Sequence, residues 1–481
     1  MRGDESLSMG FQPLADFAVS HALRLGATYA EARLEESVAN AFYCKNGLPQ
    51  MGGFEETQGL GVRLIFHGAV EHCSTDWMDK QHVGSLVEKC LRSAAANARL
   101  VKDPVLFSTQ KPARATWAVP EKRKIANVHA EEKVKLLASL DKSLGGGKAA
   151  VPTRLLFLGD NVIEKYYVNS EGSRIRSRAP SIEFFAVYTV QEAGGTLQRH
   201  IQRSGTGGYE LLKAWKLEDE LEGEAAALAR VLREGVRCPE GPVDIVCGPE
   251  VVGIACHESV GHPFEADRIL GREGAQAGES FLSEGDVGMR LGSDAVTVVD
   301  DPSIPGSAGY YQFDDEGVKA RKKQLLVNGV AAEFLSNRET AYRLGLDSNG
   351  SARAACFTVE PLVRMSNTFL SPGDHADDEL FEGVTRGVYL KTFGEWNIDD
   401  KRVNQKYASC EAYLIENGEV TKPVKRAVIE TTTKTFWGAV DAVGKKVAFR
   451  AGTCGKGEPM QGIPVWLGGP HARLRGMRLG V

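Results

Sequence analysis

Apolar residues recur at helical spacing over residues 11–25 and stop at Gly26, which predicts an amphipathic helix with a glycine end. Strand-like patterning follows at 29–34 and 40–44, and Lys45-Asn46-Gly47 reads as a turn between strand candidates. Residues 59–66 and the piece after His67-Gly68 form a second hairpin pattern, and 81–98 a second amphipathic helix. This first unit reads as a helix–sheet–helix arrangement. Residues 101–119, with Pro104 and Pro112, read as loop. A charged helix over 131–144 closes at Gly145-Gly146-Gly147. Strand patterns then recur at 154–158, 162–168, 173–177, 183–190 and 198–203, with Asn169-Ser170-Glu171-Gly172 as a hairpin turn. Gly205-Thr206-Gly207-Gly208 lacks the strand-loop-helix setting of a phosphate loop and reads as a mobile linker. An Ala- and Glu-rich helix over 218–235 leads to Cys238-Pro239.

Beyond Pro239 the elements become short and the turns dense. Strand patterns fall at 243–247, 295–300, 325–327, 363–368, 387–393, 406–415 and 425–431, with Asn328-Gly329 and Asn417-Gly418 as turns and a short helix over 337–345. Residues 271–292 are Gly- and Glu-rich and read as a loop over a site. The pattern predicts an α+β chain. An N-terminal helix–sheet region precedes a mainly antiparallel β barrel or sandwich domain that carries a short buried helix. Three domains are expected, over 1–100, 101–239 and 240–481.

That short helix leads into Cys256-His257-Glu258-Ser259-Val260-Gly261-His262. Gly248-Pro249-Glu250 opens it, with proline in the first turn. The spacing His-Glu-x-x-x-His is one residue longer than the zinc-protease pattern. On a regular helix an i,i+4 pair is offset by roughly 40°, but an i,i+5 pair by roughly 140°. Two such imidazoles grip one metal only if the helix bulges or stops between them. Gly261 tolerates either, and Pro263 restrains His262 from helical geometry. The reading adopted is that His262 lies just past the last turn, swung back towards His257. Zinc accepts neutral imidazole, keeps one position open for water in hydrolytic sites and lowers that water's pKa to about 7. Glu258, next to a ligand in sequence, then has the place of a general base. The competing reading makes these residues hydrogen-bonded core groups.

A third ligand decides between the two. Cys454 stands in Gly452-Thr453-Cys454-Gly455-Lys456 at the rim of the last strands, where a thiolate suits zinc and small neighbours allow close approach. Eight other cysteines compete for the role. The acidic turn at 313–317, Phe313-Asp314-Asp315-Glu316-Gly317, suits a hard cation but is read as a solvated capping turn. His67, His72 and His82 show no ligand spacing and read as surface or hairpin residues.

The 481 residues carry a net charge of −5 and no basic block, which gives no sign of nucleic-acid binding. No apolar run reaches membrane-spanning length, and Met1-Arg2-Gly3-Asp4 does not open a secretory signal. Nine scattered cysteines without a Cys-x-x-Cys pair fit a reducing cytoplasm.

The chain resembles the TldD/PmbA family of metallopeptidases, once called modulators of DNA gyrase, on its TldD side. The likeness runs through 26–33, 59–63, His257 to His262 followed by Phe264-Glu265-Ala266-Asp267, then 313–317, 364–368, 413–418 and 452–456, in order. The resemblance implies that His257, His262 and Cys454 hold one Zn²⁺ and that Glu258 is the base. It further implies a cytoplasmic peptidase of unfolded or leader-type peptides, acting as a homodimer or with a PmbA-like partner. The departures are Glu395-Trp396 after Gly394, where the family has more glycine, a missing second arginine in 351–355, and the Trp466-Leu467-Gly468-Gly469-Pro470 tail. They bear on substrate range. The alternatives are a metal-dependent hydrolase of non-peptide amides or esters, and a non-catalytic protein-binding regulator.

Overall fold

The computed structural model describes residues 10–274 and 278–480. Alternating strands in the first half build one sheet: β1 (Tyr29–Lys45), β2 (Leu48–Phe66), β3 (Ala69–Thr75), β4 (Arg114–Ala118), β5 (Ala150–Asn169), β6 (Arg174–Glu192) and β7 (Gly195–Thr206). The order is β3-β2-β1-β5-β6-β4, with β7 also on β6. The hairpin turns at Asn46-Gly47 and His67-Gly68 have both central residues at positive φ, the twist that matches antiparallel strands.

Several strands expected as pairs of short pieces are single long ones. β1 runs through Glu35 and Glu36, and β5 runs through Gly159 and Asp160. Buried carboxylates there are not breaks, because each has a partner. Gln58 donates to Glu36 at 2.7 Å, and Asn40 and Lys133 donate to Asp160 at 2.8 and 2.5 Å. β1 pairs with β5 from Glu31↔Asn169 to Lys45↔Leu155. Strands from either side of residue 100 therefore share one sheet, and the division expected there falls inside it. Its helices serve two cores. Gln12–Arg24 and Lys80–Asn97 bury Ala15, Ala18, Val83 and Val87. Ala130–Gly146 and Leu217–Glu234 bury Leu137, Leu140, Leu221 and Leu228.

The stretch from Gly205 to Gly208, expected to be a mobile linker, is packed instead. Thr206 Oγ1 donates to Ser307 O at 3.0 Å and Gly207 N to Pro180 O at 2.9 Å. A Cβ on Gly205 would stand 2.6 Å from Gly306 O.

The remainder forms a six-stranded, a ten-stranded and a small two-stranded sheet, mostly antiparallel, with parallel pairs where Asn367–Leu370 meets Gln461–Gly469, where Arg386–Thr392 meets Pro242–Cys247 and where Glu419–Lys425 meets Val236–Arg237. The helix Pro249–Cys256 is apolar apart from Glu250 and is buried from Glu250 to Cys256. It packs on the strands Ala448–Lys456, Gln461–Gly469 and Asn367–Leu370 of one sheet and on Pro242–Cys247 and Arg386–Thr392 of the other. Close approach requires small residues: a Cβ on Gly253 would lie 2.6 Å from Gly468 N.

The two halves are joined by buried charge. Arg199 of β7 bonds Glu224 at 2.5 Å and Glu250 at 2.8 Å, while Arg450 bonds Glu250 at 3.0 Å and Glu224 at 3.2 Å. The acidic turn is part of the same seam and is not solvated. Glu316 pairs with Arg63 at 2.7 Å, Asp315 with Lys165 at 3.1 Å, and Asp314 accepts the backbone N–H groups of Glu316, Val318 and Ala352.

Candidate metal centre

The helix does not stop before His262. Pro249–Cys256 passes directly into one π-helical turn over His257–Gly261, closed by His262 N donating to His257 O, and then into a 3₁₀ turn over His262–Phe264. An i→i+5 turn brings residues five apart onto one face, so the extra residue in the His-Glu-x-x-x-His spacing is absorbed by the widened turn. The expectation that His262 lies past the helix and folds back is corrected accordingly. Ser259 Oγ bonds the carbonyl of Ala255 at 2.7 Å and accepts Trp437 Nε1 at 2.9 Å, the kind of back-bond that bends a helix. Gly261 keeps helical dihedrals. It is small because a Cβ there would lie 1.9 Å from Met365 Sδ.

Cys454 arrives from the far end of the chain. It lies inside the strand Ala448–Lys456, not at its rim, opposite Ile463. The buried Arg364 fixes this position, donating to Cys454 O and, at 3.1 Å, to Gln461 O. The neighbouring glycine is not for metal access: a Cβ on Gly455 would stand 2.8 Å from Met460 Sδ.

His257, His262 and Cys454 thus come together, each buried, with one donor atom from each within 4.8 Å of the others. The imidazole rings meet edge to face with centroids 4.9 Å apart, and Cys454 Sγ is 3.6 Å from His262 Nε2. Burial lowers the pKa of both histidines, which favours the neutral imidazole with its free nitrogen lone pair. Burial opposes ionisation of the Cys454 thiol, but His262 and Arg364 outweigh it and bring its pKa below the ordinary value. His257 Nδ1 is buried without a hydrogen-bond partner among the described residues. Two neutral imidazoles, a thiol inclined to ionise and an orphaned ring nitrogen fit a divalent metal ion.

Glu258 sits on the same turn. It is buried and paired with Arg402, whose backbone is left-handed at φ 66°. Burial raises the Glu258 pKa, against the pull of His257 and Arg402. Glu258, His257 and Cys454 all line a cavity of about 180 Å³ whose wall includes Phe393, Trp396 and Gln202.

Several residues around the centre were not singled out as site residues. Glu265 Oε2 lies 3.0 Å from His262 Nδ1 and also accepts Arg268 Nε at 2.6 Å, with Lys456 Nζ at 3.2 Å. The spacing held a signal, since Glu265 is three residues beyond His262 and Lys456 two beyond Cys454 on the same strand face. Arg364 opens the 364–368 likeness, which gave no role for it, and for Arg402 the linear sequence held no signal; their partners lie 90 and 144 residues away.

Comparison with known proteins shows the family. The PmbA/TldA metallopeptidase C-terminal domain matches residues 240–481, and the central domain matches 123–233. The chain belongs to the PmbA/TldD metallopeptidase family. A metalloprotease of Methanothermobacter thermautotrophicus is 32% identical over 94% of this chain and 95% of its own. A zinc metalloprotease TldD homolog of Saccharolobus solfataricus is 26% identical over 96% and 98%. The crystal structure of TldE from Thermococcus kodakarensis covers 97% of this chain and 100% of its own at a TM-score of 0.75 and 17% identity, a likeness of fold. This member of the family is a metallopeptidase with residues suited to a metal cofactor. Among the described residues, no helix is long and apolar enough to cross a membrane.

Proposed function

We propose that the chain is a zinc-dependent peptidase that cleaves peptide bonds in unfolded or leader-type peptides. His257, His262 and Cys454 would hold the ion and Glu258 would be the general base. The observation that carries this reading is the convergence of three metal-type donors within 4.8 Å beside a carboxylate on the same cavity wall. The soft thiolate with two imidazoles suits zinc, as does the name of the Saccharolobus relative. Zinc in such a site supplies Lewis-acid activation of water and of the scissile carbonyl.

The chain's own residues do the rest. Burial of Glu258 raises its proton affinity, which suits a group that takes a proton from water and returns it to the leaving amine. Arg402 holds that carboxylate in place. Glu265, ion-paired with Arg268 and Lys456, orients the His262 ring. Phe393 and Trp396 form an aromatic wall, so the Glu395-Trp396 departure bears directly on which side chains are accepted.

The ligands are at most 4% exposed and the cavity is small, which supports extended rather than folded substrates. All nine cysteines are unpaired, which supports a cytoplasmic setting. Leu48, Met51 and Phe54 are exposed on the β1–β2 hairpin, 58–67% accessible, which supports a subunit partner, either a second copy or a PmbA-like chain. The deciding experiment is Glu258→Gln. Cleavage of an unstructured peptide library should fall by about 10²–10⁴-fold with zinc content unchanged. Full turnover by the variant would remove Glu258 from the mechanism.

A further inference from the structure

The cavity beside the donor set has an apolar part. Ile254, Val465 and Leu467 line it together with Phe393 and Trp396. Trp396 lies on the strand Glu395–Ile398, which ends the ten-stranded sheet. It is 41% exposed and still lines the cavity, so the indole stands at the rim with apolar surface left to cover. The volume, about 180 Å³, is close to the roughly 150 Å³ that holds a benzene ring. It has room for one large side chain.

The charges of this wall are matched. Arg199 gives Nε and Nη2 to Glu224, Nη1 and Nη2 to Glu250, and Nη1 also to Phe393 O, so every guanidinium N–H is engaged. Arg450 reaches Glu220, Glu224 and Glu250, and Arg203 pairs with Glu220. Three guanidiniums thus meet three carboxylates, and the network has no net charge. Glu258 is paired with Arg402. Burial lowers the pKa of His200, which favours its neutral form. A charged side chain entering here sheds its water and meets no spare counter-charge among the described residues, whereas an apolar one pays no such penalty.

We propose that this cavity is a substrate side-chain subsite, that it takes a large uncharged side chain, aromatic or leucine, from a residue flanking the scissile bond, and that Trp396 sets this preference. The inference rests on the peptidase reading and deepens it.

The test is a digest of an unstructured peptide library by the full-length, zinc-loaded protein, read by mass spectrometry. At one of the positions flanking the cut, Phe, Tyr and Leu are expected, with Lys, Arg, Asp and Glu at least about tenfold rarer. Trp396→Ala should lower the preference for Phe over Ala about tenfold. Trp396→Glu adds an unmatched anion and should admit Lys and Arg there. Titration of N-acetylphenylalaninamide and N-acetyllysinamide into the wild-type protein reads the cavity without turnover. The first should bind at least about tenfold tighter, and Trp396→Ala should remove the difference. Cleavage without preference at either flanking position, or with the same preference in Trp396→Ala, overturns this inference and leaves the peptidase reading intact. No cleavage, together with Trp396-dependent binding of the phenylalanine derivative, overturns the peptidase reading and leaves the selectivity of the cavity intact. Absence of both cleavage and selective binding overturns both.

Discussion

Glu265 Oε2 stands 3.0 Å from His262 Nδ1, on the side of the ring away from Cys454. A carboxylate at that nitrogen fixes the tautomer that leaves Nε2 free and raises the ligand's basicity. The acid stays ionised despite burial, because Lys456, His262 and Arg268 together hold its pKa well below the usual range. Glu265→Gln keeps the volume and removes the charge. Zinc affinity, read by competition with a chromogenic chelator, should fall about 10–100-fold. Unchanged affinity would confine Glu265 to pairing with Arg268 and Lys456.

The pairing of Arg402 with Glu258 sets where activity is lost in acid. Glu258 acts as a base only when ionised. Its pKa is raised by burial and lowered by His257 and Arg402. Removing the guanidinium in Arg402→Met leaves burial less opposed, so the pKa rises. The acidic limb of the kcat/KM profile should therefore move to higher pH, with zinc content retained. A limb that stays in place, or moves down, would show that Arg402 does not govern the base.

Gly261 faces Met365 so closely that a Cβ would lie 1.9 Å from Sδ, and Met365 is fully buried. Gly261→Ala should destabilise by about 1–3 kcal/mol through overpacking. Adding Met365→Ala opens the space, and the pair should show favourable coupling of about 0.5–3 kcal/mol in urea unfolding. Additive costs would mean that the clash is relieved elsewhere.

What the linear pattern could and could not reveal follows from the range of the interactions involved. The helix at 249–256 and both ends of the donor set were legible, because a wholly apolar run, a proline and the two histidines lie side by side. The π turn was not, since helical periodicity carries no mark of an i→i+5 closure, and the Trp437 indole that bonds Ser259 within it lies 178 residues away. Polar residues at Glu36 and Asp160 broke the strand pattern locally although the folded sheet satisfies them. The same cause misled the reading of the acidic turn, whose Glu316 finds Arg63 across 253 residues. Cys454 was one thiol among nine by composition; the likeness through 452–456 singled it out, and the strand pairing that places it opposite Ile463 is a contact only the fold displays.

The seam between the halves makes a separate prediction about acid. Burial opposes ionisation of Glu250, but Arg199 and Arg450 outweigh it and bring its pKa below the ordinary value, and Arg450 and Arg203 do the same for Glu220. With the folded values depressed, the unfolded chain binds more protons through that window, so stability rises with pH there. The contribution is complete above the unfolded carboxylate value of about 4.3 and is lost as pH falls through the folded values. The urea midpoint should therefore hold steady from neutrality down to that point and then drop. Glu250→Gln should cost about 3–5 kcal/mol near pH 7, since it strips buried Arg199 of a partner, and should also shallow the acid slope. A variant that kept the full wild-type slope would show that acid sensitivity comes from carboxylates outside this network.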